Sequence, residues 1–503
     1  MSAKKILSFP NIIAAAYIIL TAIGLYHHAM WSDEMQHWLL ARDSKSLPDL
    51  VYNMRYEGHP ILWESLLFII ARFSNDPMSM QVLNLIISSA TAILILNYAP
   101  FPMLMRTLIV FSYFLFYEYA DISRNYSLGC LLIVYCCILY RNRYLHYILL
   151  SVVMGLLANT HLLCLFISFA IFAALLFDGI FYATLSPHQK KMALVGVLIY
   201  VVFVALSIWQ IIPPSNSLFK VINNNMTSFH RICGAVSIIT KGFLPFPDIR
   251  TLNWWNTNWF TTISTALNAL LTLFILAGSL LVLIKKPLTL LIFFISFSGV
   301  ASFIFFFQIG EVRYYGLIFI SFIAALWIGE YYTAPVNFNK VLNRLHRIIV
   351  KPFIYTVLVI QVISAGVAYG LDIKRPFSQA KNTANYLHLK ALDKHTIIVN
   401  IYSAGPPIAG YLGKQVFYPR VNQWGSYCKW SLYYKASHYT TLASLKELYT
   451  NNDSTLVLVL DRPITDNTGY IDPAIRIQHV KDFTGSTVFD ENYYIYLMTP
   501  KNK

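Results

Sequence analysis

The chain has 503 residues, of which 57% are apolar, 16% aromatic and only 12% charged, against about a quarter charged in an ordinary soluble domain. That polar coat is too thin for a soluble or disordered chain, and 21 Gly and 21 Pro exclude a collagen-like one, which leaves a polytopic membrane protein. The net charge of +15, from 38 Lys and Arg against 23 Asp and Glu, then reads as basic cytoplasmic loops rather than as a nucleic-acid face.

In chain order, apolar runs predict spans at 11–30, 79–97, 103–119, 126–140, 145–160, 162–178, 193–212, 262–284, 288–308, 313–331 and 353–371. The first follows Lys4 and Lys5 and lacks a small-residue cleavage site, so a retained helix is expected there. The run 60–72 is short and reads as a re-entrant or interfacial helix; as a crossing it would raise the count of transmembrane helices from about 11 to 12.

Basic residues set the orientation. Lys4 and Lys5, Arg141 and Arg143, Lys190 and Lys191, Lys285 and Lys286, and a last loop with Lys340, Arg344, Arg347 and Lys351 all fall on one side, which the positive-inside rule makes cytoplasmic. Residues 31–78, the turns near 120–125, 161 and 309–313, and a second large loop at 213–261 then lie outside.

The composition changes at 372, where long apolar runs stop. Ile397–Ile401 and Leu456–Leu460 read as buried strands, and 378–392 and 441–449 as helices. The division is thus a transmembrane domain, 1–371, and a small extracytoplasmic α/β domain, 372–503. Cys130, Cys136, Cys137 and Cys164 lie in apolar runs as packing residues; Cys233 and Cys428 fall in expected loops, with no disulfide or zinc spacing. Sequons stand at Asn125, Asn225 and Asn452, and matter only in a eukaryotic secretory setting.

Polar residues collect at the outer surface. The first outer loop opens with Trp31-Ser32-Asp33-Glu34-Met35-Gln36-His37-Trp38. Ser32 or Asp33 as a helix cap explains the placement, but a partly desolvated carboxylate there is also a candidate general base. The loop ends with Glu57-Gly58-His59-Pro60-Ile61-Leu62, where His59 is either a ligand or an ordinary interface residue. Ser123-Arg124-Asn125-Tyr126-Ser127 and Glu311-Val312-Arg313-Tyr314-Tyr315 each put an arginine at the rim of a span, and Asn159-Thr160-His161 adds a histidine. Snorkelling explains one such arginine; two suit the bidentate grip of a lipid phosphate. Trp254, Trp255 and Trp259 read first as an interfacial anchor, with sugar stacking as the alternative. Charges within the spans are scarce, which disfavours an ion-coupled carrier.

These motifs resemble the GT-C superfamily of integral membrane glycosyltransferases, in the bacterial branch of protein O-mannosyltransferases and lipid A aminoarabinose transferases. Asp33-Glu34 matches the acidic motif of the first outer loop, His59-Pro60-Ile61-Leu62 the His-Pro-Pro-Leu-like stretch without its second proline, Ser123-Arg124-Asn125-Tyr126 the Ser-Arg stretch that opens a span, and Asn159-Thr160-His161 the Tyr-Thr-His element. The likeness covers residues 11–178; beyond them it is architectural.

The resemblance implies an inverting transfer of sugar from a polyprenyl-phosphate donor to a glycan, lipid or protein hydroxyl on the outer face. Asp33 would be the base and Glu34 would orient it or bind hydroxyls. Arg124 and Arg313 would hold the phosphate, and His59, Tyr126 and His161 would contact phosphate or sugar. Asp33, Glu34, His37 and His59 carry donors suited to a divalent metal, but this branch implies none, so no cofactor is expected. Membrane lipids are the other expected partners, and short loops favour a bacterial inner membrane. The alternatives are a lipid-diphosphate-linked polysaccharide polymerase or ligase, and a carrier or flippase without bond chemistry.

Overall fold

The computed structural model of the protein describes residues 8–218, 228–307, 310–332, 336, 338–399, 404–432, 455–464 and 475–500. Lys4, Lys5, the segment 441–449 and the sequons at Asn225 and Asn452 lie outside them.

Helix α1 (Phe9–His27) takes Pro10 in its first turn, where the missing N–H costs nothing. Then come α2 (Ser32–Asp43), α3 (Leu47–Met54), α4 (Leu62–Ile70), α5 (Met78–Tyr98) and α6 (Met103–Val110). They are followed by α7 (Asn125–Tyr140), α8 (Tyr147–Ala158), α9 (Leu162–Phe181), α10 (Pro187–Ile211) and α11 (Ser228–Phe243). The bundle closes with α12 (Trp259–Ile263), α13 (Thr265–Leu283), α14 (Pro287–Phe307), α15 (Val312–Gly329) and α16 (Lys340–Lys374). Among the described residues eight helices, α1, α5, α9, α10, α13, α14, α15 and α16, are long and apolar enough to cross a membrane; α7 and α8 are shorter apolar helices. The chain is polytopic and helical, as its composition requires.

Several expectations change in detail. The run 103–119 is not one helix: α6 stops, and Tyr113–Glu118 forms a buried π-helical turn. That wider turn is a recurrent feature of functional regions; here it sends Tyr117 and Glu118 toward polar partners. The run 60–72 yields the nine residues of α4, about 14 Å long and too short for a core of about 30 Å. The loop 213–261 contains α11, whose Ile238, Ile239 and Phe243 are buried in the main core, and Cys233 lies on this helix rather than in a loop. Lys340, Arg344, Arg347 and Lys351 sit on the first turns of α16, not in a loop, because Asn339 caps that helix by accepting the Leu342 N–H at 2.9 Å.

Helix α15 is the axis of the bundle, with every residue except Leu326 buried. Gly316 lets it touch its neighbours: a Cβ there would lie 2.2 Å from the Phe114 ring. One end of the bundle carries the basic turns, with Arg143 paired to Asp178 and Lys286 to Glu330 at 3.1 Å. The opposite end carries α2, α4 and the starts of α7, α9 and α15, beneath the C-terminal domain.

That domain has helices α17 (Ala380–Leu389) and α18 (Gly405–Leu412). Its strands are β1 (Thr396–Val399), β2 (Val416–Tyr418), β3 (Gln423–Gly425), β4 (Leu456–Leu460), β5 (Ile475–Phe483) and β6 (Tyr493–Pro500), in the sheet order β3-β2-β1-β4-β6-β5. β1 and β4 run parallel, with Thr396 opposite Leu456. Both are buried on two faces, which is why each is a continuous apolar run. Ile397, Val399, Val457 and Val459 share one core with Ile408, Ala409 and, from α2, Met35, Trp38 and Leu39. The domain is therefore packed onto the bundle through α2. Trp38 is fully buried in this joint. Trp38→Ala is expected to cost about 3–5 kcal/mol of stability, read by thermal unfolding; a loss below about 1 kcal/mol would mean the joint is not a core.

Candidate functional site

The site is built from the first turn of α2. Glu34 lies at the third position of that helix, and its Oε2 accepts the Trp31 N–H at 3.2 Å, which fastens the start of the turn. The same oxygen meets His28 Nε2 at 2.9 Å, and Oε1 accepts the Ser123 N–H at 2.6 Å. Glu34 is fully buried and both oxygens are engaged. Of the two roles expected of Glu34, orienting Asp33 or binding hydroxyls, these bonds favour the first: Glu34 fastens the turn that carries Asp33.

Asp33 faces a different set of partners. Its Oδ2 lies 2.8 Å from Arg124 Nη1, at the start of α7, and 2.9 Å from Arg313 Nη2, at the start of α15. Both arginines are buried, while the Asp33 side chain keeps 36% of its exposure. Arg313 Nη1 also meets Glu311 Oε2 at 2.5 Å. Its guanidinium stands 5.2 Å from the Trp31 ring, 5.6 Å from Trp255 and 5.3 Å from Tyr314, a cation held among aromatic faces. Tyr119 fixes the Arg313 backbone by donating to its carbonyl at 2.6 Å. The Nε of each guanidinium is buried without a hydrogen-bond acceptor among the described residues. Burial alone would push the Asp33 carboxyl up, but Arg124 and Arg313 outweigh it and hold its pKa below the ordinary range.

A row of imidazoles runs beside this cradle. His37, one helical turn beyond Asp33, places Nδ1 2.5 Å from Glu64 Oε1 on α4. The His59 ring lies 6.0 Å from His37 and 4.7 Å from His161. His161 Nδ1 accepts the Leu163 N–H at 3.1 Å, so the neutral ring carries its proton on Nε2, 3.2 Å from the Tyr126 hydroxyl. Tyr314 closes the row, 5.9 Å from His161 and beside Arg313. Burial first, and the nearby cations after it, hold His37, His59 and His161 well below the usual histidine range, so these rings are neutral. Burial pushes Glu64 and Glu57 up to about 8.

The structure thus brings Asp33, Arg124 and Arg313 into contact and aligns His59, His161 and Tyr126 beside them. It does not gather Asp33, Glu34, His37 and His59 into a donor set: Asp33 faces two arginines, Glu34 faces His28 and backbone, and His37 faces Glu64. Among the described residues no group of three or more His, Cys, Asp or Glu side chains is arranged to hold a metal. Trp254 and Trp255 are buried instead of anchoring an interface; Trp255 packs on Trp31 at 4.8 Å and donates to Glu118 at 3.2 Å. Asn125 is buried too, donating to the Thr160 carbonyl at 3.0 Å.

A second layer was not legible in the sequence. His28 is clamped between Glu34 and Asp372, whose Oδ2 lies 2.8 Å from Nδ1 and accepts from Tyr117 at 3.1 Å. Glu491, from the turn before β6, accepts the Ser32 N–H at 2.6 Å. Gln36 clasps the Cys428 backbone, donating to its carbonyl at 2.7 Å and accepting its N–H at 2.8 Å. The one available signal was placement: His28 and Asp372 stand where apolar runs end. Burial disfavours the His28 imidazolium, but Asp372 and then Glu34 raise its pKa well above the usual value.

Compared with protein-family models, curated proteins and solved structures, the chain finds no match in any of the three.

Because the folded pKa of His28 is raised, its charge contributes stability fully below the ordinary value of about 6.5, and that contribution is lost as pH rises through the folded pKa. His28→Asn should cost on the order of 3–5 kcal/mol near pH 6, since it leaves two buried carboxylates facing each other. Melting curves of both proteins across pH check this. A cost that grew with pH would contradict the charged clamp.

Proposed function

We propose that the protein is a GT-C-type membrane glycosyltransferase that moves a sugar from a polyprenyl-phosphate donor to an acceptor hydroxyl, with inversion. The observation that carries this reading is the contact of Asp33 with two buried arginines from distant helices, at one end of an apolar bundle. In this reading that end is the outer face of a bacterial inner membrane, and the basic turns are cytoplasmic.

Two planar guanidiniums offer forked donors to the phosphate of a lipid whose tail stays in the bilayer. As the bond from the anomeric carbon to the phosphate oxygen breaks, negative charge grows on the leaving phosphate. Arg124 and Arg313 oppose that charge where burial keeps water from screening it. The acceptor oxygen attacks the anomeric carbon from the opposite side and its proton passes to Asp33. His59, His161 and Tyr126 are neutral polar groups suited to sugar hydroxyls, and the phosphate is left to the arginines. In this reading the C-terminal domain, joined to α2 through Glu491 and Gln36, helps to select the acceptor.

The test uses purified protein, a polyprenyl-phosphate sugar and an acceptor, with product read by mass spectrometry. Asp33→Asn is expected to abolish transfer while the protein remains folded, and Arg124→Gln or Arg313→Gln to lower the rate by about 10²–10³. Normal turnover by Asp33→Asn would remove Asp33 as the base. Consumption of a diphosphate donor alone would favour a polymerase or ligase, and transport across vesicles without a covalent product a carrier.

A further inference from the structure

The guanidinium pair assigned to the donor phosphate already holds an anion, and that anion is the proposed base. Asp33 Oδ2 accepts from Arg313 Nη2 at 2.9 Å and is ion-paired to Arg124 Nη1 at 2.8 Å. A carboxylate oxygen so placed offers the pair what a phosphate oxygen would offer: an anionic acceptor bridging two forks. Beyond Asp33, Glu311 neutralises part of the charge on Arg313, and no carboxylate other than Asp33 is in ion-pair contact with Arg124 among the described residues. The buried Nε groups show that donors remain unused even so. The donor's phosphodiester, with two non-bridging oxygens, would use more of them than the single Asp33 oxygen does.

The mobile partner is Asp33. Its backbone is fixed by the bonds of Glu34 and Glu491 to the first turn of α2, but its side chain, like that of Glu311, is only part-buried. Arg124 and Arg313 are buried, and aromatic rings enclose Arg313. Rotation about the side-chain torsions of Asp33 is therefore the smallest movement that admits a phosphate.

We infer, resting on the glycosyltransferase reading, that the donor phosphate and Asp33 compete for Arg124 and Arg313, so that donor binding displaces the Asp33 carboxylate and releases it to act as the base. Before the donor arrives, an acceptor meets a carboxylate whose charge is already matched by two cations. Once phosphate matches those cations, the groups facing Asp33 from the surrounding elements are His37 on α2, Glu57 before α4, Glu311 and Tyr314 at α15, and Glu491 before β6. None of these is a fixed cation, so the freed carboxylate binds a proton more readily than the held one. Base activation thus waits for the donor without any large conformational change.

The consequence is that the residue needed for chemistry opposes binding. An internal competitor lowers apparent affinity by the fraction of sites it occupies, and its removal restores that fraction. The experiment titrates undecaprenyl phosphate into the full-length protein in nanodiscs, with inorganic phosphate titrated separately to read the headgroup without the tail. Asp33→Asn is expected to bind the lipid at least about tenfold tighter than wild type, Asp33→Glu close to wild type, and Arg124→Gln weaker; inorganic phosphate should rank them the same way. Asp33→Ser replaces the amide variant if that fails to fold. Equal or weaker binding by the uncharged variants overturns the competition but leaves the transferase reading standing, provided wild type binds through Arg124 and Arg313. Wild-type protein that binds neither ligand, or binds them independently of both arginines, overturns both.

Discussion

One carboxylate between two buried guanidiniums organises this protein. Asp33 and Arg313 are 280 positions apart, yet they meet at 2.9 Å, and Arg124 joins them from a third helix. Two buried cations side by side repel, and each has lost its water. The structure meets both costs locally. Asp33 supplies the shared counter-charge, Glu311 a second one, and Trp31, Trp255 and Tyr314 surround Arg313 with ring faces. Such a cluster is costly merely to hold helices together, since apolar side chains would do that at less desolvation cost. In the proposed function its value lies in offering two cations to a lipid phosphate.

Around the cluster a second set of buried polar bonds keeps the geometry narrow. Glu34 ties the first turn of α2 to the backbone before α7 and to His28. His28 reaches Asp372 near the end of α16, which also holds Tyr117 in the π-helical turn. Glu491 and Gln36 tie the same helix to the C-terminal domain. Helix α2 is thus fixed along its length, with Trp38 in the shared core and Asp33 in its first turn. In the proposed reaction that stiffness keeps base and cations in register while only side chains move.

Much of the outline was legible because it rests on composition and periodicity. Long apolar runs require helices, and β1 and β4 show as short apolar runs because both their faces are buried. Arg124 and Arg313 could be singled out because a rim arginine on the less basic side of a membrane is unusual. What stayed hidden depends on contacts distant in sequence. The break after α6 lies inside a run of aromatic residues that looks like any other apolar helix. Helix α11 was read as loop because Arg231 and Lys241 interrupt its hydropathy. Trp254 and Trp255 carry the composition of an interfacial belt, and only the position of Arg313 makes Trp255 part of a cation cradle. Glu34 beside Asp33 looked like a second acid for chemistry, and its direction was fixed by Ser123 and His28.

The central claim is that Arg124 and Arg313 form a phosphate site beside Asp33. An experimental structure of the protein bound to a polyprenyl phosphate tests it most directly. The account predicts the phosphate within hydrogen-bonding distance of both guanidiniums, with the Asp33 carboxylate turned away from them. A phosphate bound elsewhere, with Asp33 still bridging the two arginines, would contradict it.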